Sequence, residues 1–256
     1  MTINKRLKVE NYQVTNIESE MKKSMHNILR LKTIAAIPCF NTERSIAEVI
    51  KKTREYVDEV IVINDGSWDK TAEIASAAGA KVINHNNNLG YGAAIKSCLA
   101  AFQNSNADVL VTIDGDGQHN PAEIPSLIEL VLDKQADLVI GSRFINNQLK
   151  MPHYRKFGIG VITFLWNSGS KIKITDSQSG FRVYSKKVVT DLRLKENGMS
   201  ISIEILEKIR KKHSKICEVP ITCSYGLDNS RLNINAIKHG MRVSLSVIRI
   251  RMENLF

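Results

Sequence analysis

The stretch VLVTIDGDGQHNPAEI, Val109 to Ile124, sets the reading of the whole chain. An apolar run of strand character ends in Asp114 and Asp116, and a helix opened by Pro121 follows. Side chains two residues apart on an extended segment point the same way, so the two carboxylates face one point and repel. A divalent cation removes the conflict, and hard oxygen ligands suit Mg2+ or Mn2+. Gln118 can add an amide oxygen, and Gly115 and Gly117 let the backbone come close to a ligand. A calcium loop of the helix–loop–helix type is excluded. It needs glycine at its sixth position and glutamate at its twelfth, where this chain has His119 and Pro125. A solvated turn and an acid–base carboxylate pair are the alternatives, although nothing in the sequence raises one pKa selectively.

Around this stretch, strands and helices alternate. TIAAI is a buried strand expected to stop at Pro38, and ERSIAEVIKKTREYV has helical spacing of Ile46, Val49, Ile50 and Val57. EVIVI, KVIN and DLVIG are further strands; TAEIASAA, GYGAAIKSCLAAF and PAEIPSLIELVLD are helices, with Gly66, Ser67 and Asp69 forming a turn and cap before the first. The expectation is an α/β fold with a doubly wound, mostly parallel sheet and helices on both faces. Ligands in such sheets lie beyond the carboxyl ends of the strands. PCFN, NDGS, DGDGQ and GSR all fall at those ends. Beyond Gly141 come an apolar helix, the stretch TDSQSGFRVYS, a helix around ISIEILEKIRKK and the strand ICEVPIT.

With 256 residues the chain suits one such domain with appendages. Residues 1–30 are polar and are expected to be a flexible or weakly helical extension without a signal peptide; residues 31–232 form the catalytic domain. Residues 233–256 mix Ile234, Ile237, Met241, Leu245 and Ile248 with lysine and arginine, a basic amphipathic pattern expected to lie on anionic lipid. The apolar stretch Phe157 to Trp166 is too short to span a bilayer and is expected in the core. The net charge of +10 favours anionic partners. Aromatic residues are 6% of the chain and do not interleave with basic ones, so no nucleic-acid partner is expected. The four cysteines are scattered and form no Cys-x-x-Cys pair, which fits a reducing, cytoplasmic setting.

The stretches IPCFN, VINDGSWDKT, NLGYGAAIKSC, DGDGQHNPAEIP, GSRF, YRK, DSQSGFRVY and NSRL occur in that order. Over residues 33 to about 232 the chain resembles family-two glycosyltransferases of the GT-A fold, above all the polyprenyl-phosphate and dolichyl-phosphate sugar synthases. The resemblance implies an inverting, metal-dependent transfer from a nucleotide sugar, UDP-linked in preference to GDP-linked, to polyprenyl (dolichyl) phosphate. It places the enzyme peripherally on the cytoplasmic face of a membrane. It implies that Pro38, Phe40 and Glu43 line the base and ribose pocket, where the family often has tyrosine at the position of Phe40 and glutamate one residue earlier than Glu43. Asp65 would hold the uracil or ribose; Asn64 replaces the first of two aspartates common there. Asp114, Asp116 and Gln118 would hold the metal, and Arg143, Arg155 and Arg231 would pair with donor diphosphate or acceptor phosphate. Ser179, Gly180, Phe181 and Arg182 would shape the sugar and acceptor side. Glu204 is the single acid where hydroxyl-acceptor members carry a base; the other reading of it is a helix-surface or capping carboxylate.

A lipid phosphate is largely a dianion at neutral pH, its second pKa lying near about 6 by analogy with phosphoamino acids, and needs no strong base. Two competing readings are a transferase with a soluble glycan or protein acceptor and a non-catalytic membrane-surface module. A nucleotidyltransferase would want a glycine-rich phosphate loop where this chain has PCFN.

Overall fold

Seven short strands of mostly β-branched and other apolar residues carry the molecule: β1 Thr33–Cys39, β2 Glu59–Asn64, β3 Lys81–Asn84, β4 Val109–Thr112, β5 Leu138–Ser142, β6 Arg182–Ser185 and β7 Ile216–Pro220. The computed structural model describes residues 31–146, 151–224 and 243–250. The chain divides after Leu31, and the expectation for residues 1–30 lies outside the described residues. The sheet order is β3-β2-β1-β4-β6-β5-β7. Every pairing is parallel except those of β6 with β4 and β5.

The helices are α1 Ile46–Thr53, α2 Thr71–Ala77, α3 Tyr91–Gln103, α4 Ile124–Leu132, α5 His153–Asn167, α6 Lys186–Val189, α7 Ile201–Lys211 and α8 over 243–250. One buried cluster joins residues of α3, α5, α7 and α8 to one face of the sheet. The other joins α1, α2 and α4 to the opposite face. The start of α2 is fixed by Asp69, whose Oδ1 accepts the Thr71 amide at 3.0 Å. Before α4, Asn120 accepts the Ala122 amide and Pro121 opens a 3-10 turn.

Three sequence expectations need correction. β1 does not stop at Pro38 but continues through it to Cys39, in register with β2. β4 pairs with β1 only as far as Ala36. The Cys39 carbonyl accepts the Asp65 amide on the β2 side, so Pro38, one residue earlier, turns its donorless nitrogen to the unpaired side, where nothing is lost. Second, β6 was not visible as a strand. It is four residues long and includes a buried arginine, so neither an apolar run nor an alternation marks it. Third, the stretch from Phe157 to Trp166 is only half core. Ile162, Thr163 and Trp166 are buried, whereas Phe157, Val161 and Phe164 are exposed. In the described part of the C-terminal segment, Val243, Val247 and Ile250 pack into the core, while Leu245 and Ile248 face outward.

Candidate active site

The carboxyl ends of β1, β2, β4 and β5 deliver the expected residues to one rim of the sheet. Because β6 runs the other way, its first residue, Arg182, lies opposite Thr112 at the end of β4. The loop entering β6 is thereby brought against the acidic pair. A Cβ on Gly180 would stand 2.5 Å from Asp114 Oδ2 and 2.8 Å from the Tyr91 hydroxyl, so only glycine leaves that carboxylate its place.

Asp114 is lightly held. Tyr91 Oη lies 3.5 Å from its Oδ1, and His119 Nε2 lies 3.6 Å from its Oδ2. Burial, and then the charge of Asp114, keep the Tyr91 phenol well above its ordinary pKa, so it remains a protonated donor. Asp116 is exposed as a residue, and its Oδ1 accepts the Gln118 amide at 3.0 Å. Partial burial of its carboxyl, and then the neighbouring charge of Asp114, raise its pKa. The pair is thus a locus of uncompensated negative charge built from hard oxygen donors, which fits Mg2+ or Mn2+ with Gln118 beside it. Among the described residues, no three His, Cys, Asp or Glu side chains gather as a ready metal cluster. The set that fits is therefore two carboxylates and an amide. His119 is buried beneath this loop, its ring 5.6 Å from that of Phe181 and its Nδ1 without a hydrogen-bond partner.

Where the resemblance implies a base pocket, Phe40 and Trp68 form an edge-to-face pair with centroids 5.1 Å apart, and Trp68 is 81% exposed. Pro38 is buried within β1. The Glu43 carboxylate accepts the Lys70 amide, and the Glu43 amide donates to Asp69, so Glu43 joins two loops at the mouth. Asp65 is buried. Its oxygens accept the amides of Leu89 and Gly90 at 3.0 and 2.9 Å, and His85 Nδ1 lies 2.6 Å away. His85 Nε2 in turn lies 2.8 Å from Ser97 Oγ. In this structure Asp65 holds the loop that starts α3, and through it Tyr91.

The remaining candidates divide sharply. Arg143 makes a fork with the buried Asp176, Nε to Oδ2 at 2.6 Å and Nη2 to Oδ1 at 2.9 Å, so a carboxylate already matches its charge. Arg155 lies in the first turn of α5 and is half-buried. Arg231 lies outside the described residues. Ser179 and Phe181 are fully buried. Arg182, also buried, donates to the carbonyls of Ser177, Ser179 and Ser202, which staples the loop before β6. Glu204 accepts the amides of Lys195 and Glu196 and pairs with Lys208 at 2.8 Å. Burial opposes its charge, but the Lys208 hydrogen bond and these amides outweigh it and lower the pKa. Glu204 is thus a buried carboxylate that ties the loop before α7 to the helix; it neither lies on the helix surface nor caps the helix, whose N-cap residue is Ser200. Tyr91, His119, Trp68 and His85 were missed by sequence reasoning. The first three stand within the quoted motifs, and the exposed indole of Trp68 follows the turn after β2.

The mostly parallel sheet with an acidic pair at the end of a central strand gives an α/β protein with one charged rim, and similarity to known proteins makes the class specific. The family model "Glycosyl transferase family 2" matches residues 34–193. The uncharacterized protein MJ1222 of Methanocaldococcus jannaschii is 33% identical over 250 residues, 94% of this chain and 99% of that protein. Dolichol-phosphate mannosyltransferase of Pyrococcus furiosus is 33% identical over 75% of this chain, which spans 56% of that protein's length. UDP-N-acetylglucosamine–dolichyl-phosphate N-acetylglucosaminyltransferase of Methanococcus voltae is 32% identical over 74% of this chain and 84% of its own. Glucosyl-3-phosphoglycerate synthase of Mycobacterium tuberculosis, crystallised with Mn2+ and UDP-glucose, superposes with a TM-score of 0.67 at 21% identity, over 87% of this chain and 78% of that one. That likeness gives the GT-A fold. The chain belongs to glycosyl transferase family 2 and is a glycosyltransferase.

Proposed function

We propose that the enzyme transfers a hexose from a nucleotide sugar, UDP-linked in preference to GDP-linked, to the phosphate of a polyprenyl or dolichyl lipid at the cytoplasmic face of a membrane. The observation that carries this reading is the Asp114–Asp116 pair, charged, lightly bonded and pressed against Gly180. Asp114, Asp116 and Gln118 would hold Mg2+ or Mn2+, whose contribution when bound is to neutralise the departing nucleoside diphosphate. Phe40 and Trp68 offer the base an apolar rim. Arg155 and Arg231 supply positive charge for phosphate oxygens, and Arg143, already forked to Asp176, orders the strand end they share with the site. The attacking oxygen of a lipid phosphate is already ionised, so the chain's task is to position it and offset like charge. The engagement of Glu204 with the Lys195 and Glu196 amides and with Lys208 supports this, since a hydroxyl acceptor would call for a free base. The relatives named for dolichyl-phosphate transfer support the lipid acceptor.

The test is incubation of the protein with labelled UDP- and GDP-sugars, polyprenyl phosphate and Mn2+ or Mg2+, followed by solvent extraction. Metal-dependent label in the lipid phase supports the proposal. Label only in an aqueous glycan, or released as free sugar, refutes it.

A further inference from the structure

Helix α5 carries an apolar stripe that stands exposed among the described residues. Phe157, Val161 and Phe164 follow the spacing of one helical face and are 75%, 36% and 72% exposed. Gly160 between them is exposed and has nothing within 4 Å of where a Cβ would be. Seven residues of helix span about 10 Å, so the two phenyl rings bracket a continuous strip. A monomeric enzyme does not ordinarily leave two phenylalanines on one face in water.

The charge around the strip identifies what covers it. From Phe144 to Thr175 the sequence has no acidic residue and five basic ones, Lys150, Arg155, Lys156, Lys171 and Lys173. Lys156 is exposed beside Phe157. Lys171 and Lys173 are exposed just beyond the other end, where Lys173 Nζ donates to the Asn167 carbonyl of α5 itself. Apolar side chains flanked at both ends by lysine are the composition of a segment that lies in the headgroup region of an anionic bilayer. A second protein surface would be expected to present acids for these lysines, and an uncharged one would leave them idle. Helix α8, whose buried side enters the same core layer, also turns Leu245 and Ile248 outward.

The inner side of the same helix reaches the site. Thr163 Oγ1 lies 2.9 Å from Ser177 Oγ, and the Ser177 carbonyl accepts from Arg182. Asp176, next in line, holds Arg143. We infer that the Phe157–Val161–Phe164 face of α5 is the enzyme's membrane-docking surface, seating in the outer few ångströms of an anionic leaflet. This rests on the lipid-acceptor reading and names the surface that serves it.

The experiment is flotation of the full chain with vesicles of phosphatidylcholine, with and without phosphatidylglycerol, and without any polyprenyl phosphate. The wild type should float with the anionic vesicles, less so at high salt. F157S/F164S should lose binding by about tenfold or more, while its transfer to a short-chain, water-soluble acceptor keeps the wild-type rate. F164W, which keeps the apolar character, should show a blue-shifted emission on adding anionic vesicles. Unchanged flotation of F157S/F164S, or no shift for F164W, overturns the inference. So does a wild-type dimer that F157S/F164S dissociates with vesicle binding intact, which would assign the strip to a second copy. Vesicle binding without sugar transfer would condemn the acceptor reading and leave the surface standing.

Discussion

Gly180→Ala tests the geometry at its tightest point. The added methyl would sit 2.5 Å from Asp114 Oδ2 and 2.7 Å from Oδ1. Gly180 is not in the left-handed region, so alanine suits its backbone and the only conflict is with the side chains it faces. An ordinary contact begins at 3.4 Å, so the carboxylate must retreat by about 0.9 Å, and a misplacement of about 1 Å can lower a rate roughly 10²-fold. The stability cost is set by overpacking at a partly open carboxylate, about 1 kcal/mol, or about 2–4 °C in Tm for a chain of this size. The expected signature is a fall in kcat of about two orders of magnitude with a nearly native melting curve. The assay is initial-rate transfer under saturating Mn2+, with circular dichroism melting alongside. A G180A enzyme with wild-type kcat would show that the position of Asp114 does not govern the reaction, and the site assignment would fail.

Asp116→Asn should abolish transfer, and it should raise Tm rather than lower it, because Asp114 and partial burial disfavour the native charge; a Tm drop with activity retained would contradict the assignment. For Glu204 the folded pKa is depressed, so its contribution to stability is complete above the ordinary carboxylate pKa and is lost as pH falls through the lower, folded value. Glu204→Gln should therefore cost about 2 kcal/mol at neutral pH and progressively less in acid, measured by urea unfolding across pH, with kcat changed far less than in G180A; a base role would instead appear as a large kcat loss with stability intact. Asp65→Asn should lower the melting temperature and raise the donor KM together, since it leaves one oxygen for the two amides of Leu89 and Gly90 and sets a donor NH2 against the other; an unchanged Tm would mean that the clamp carries no energy.

The fold was legible wherever burial on both faces wrote an apolar run: β1, β2, β4 and β5 are almost wholly buried, and their sequences show it. β6 was illegible because it is short and opens on Arg182, and nothing in the sequence reveals that the carbonyls of Ser177, Ser179 and Ser202 will satisfy that charge. The acidic pair was legible from spacing, but its neighbours were not. Tyr91 and His119 come to Asp114 through the packing of α3 and the loop before α4, and their spacing in sequence says nothing of that approach. Arg143 and Glu204 were legible as charges near strand and helix ends. Whether each faces a ligand or a loop depends on Asp176 and on the amides of residues 195 and 196, which only the tertiary structure brings near. The stripe on α5 shows the same limit. Phe157 and Trp166 belong to one apolar stretch, and only packing shows that one is buried and the other is not.

The reversed strand explains why the site can be both rigid and charged. Were β6 parallel to β4, its first residue would lie at the far edge of the sheet, and no loop would back Asp114 there. Running antiparallel, it brings residues 177–181 to the carboxyl end of β4, where Gly180 meets the carboxylate and Arg182 locks the loop. The buried charges around the rim, Asp65, Asp176, Arg182 and Glu204, each take several hydrogen bonds and fix a loop. Asp114 and Asp116 take few. Satisfied charges thus hold the loops around Asp114 and Asp116 in place before any ligand arrives. On the proposed reading, a cation would relieve the repulsion between Asp114 and Asp116, and this is why D116N should be more stable and inactive at once.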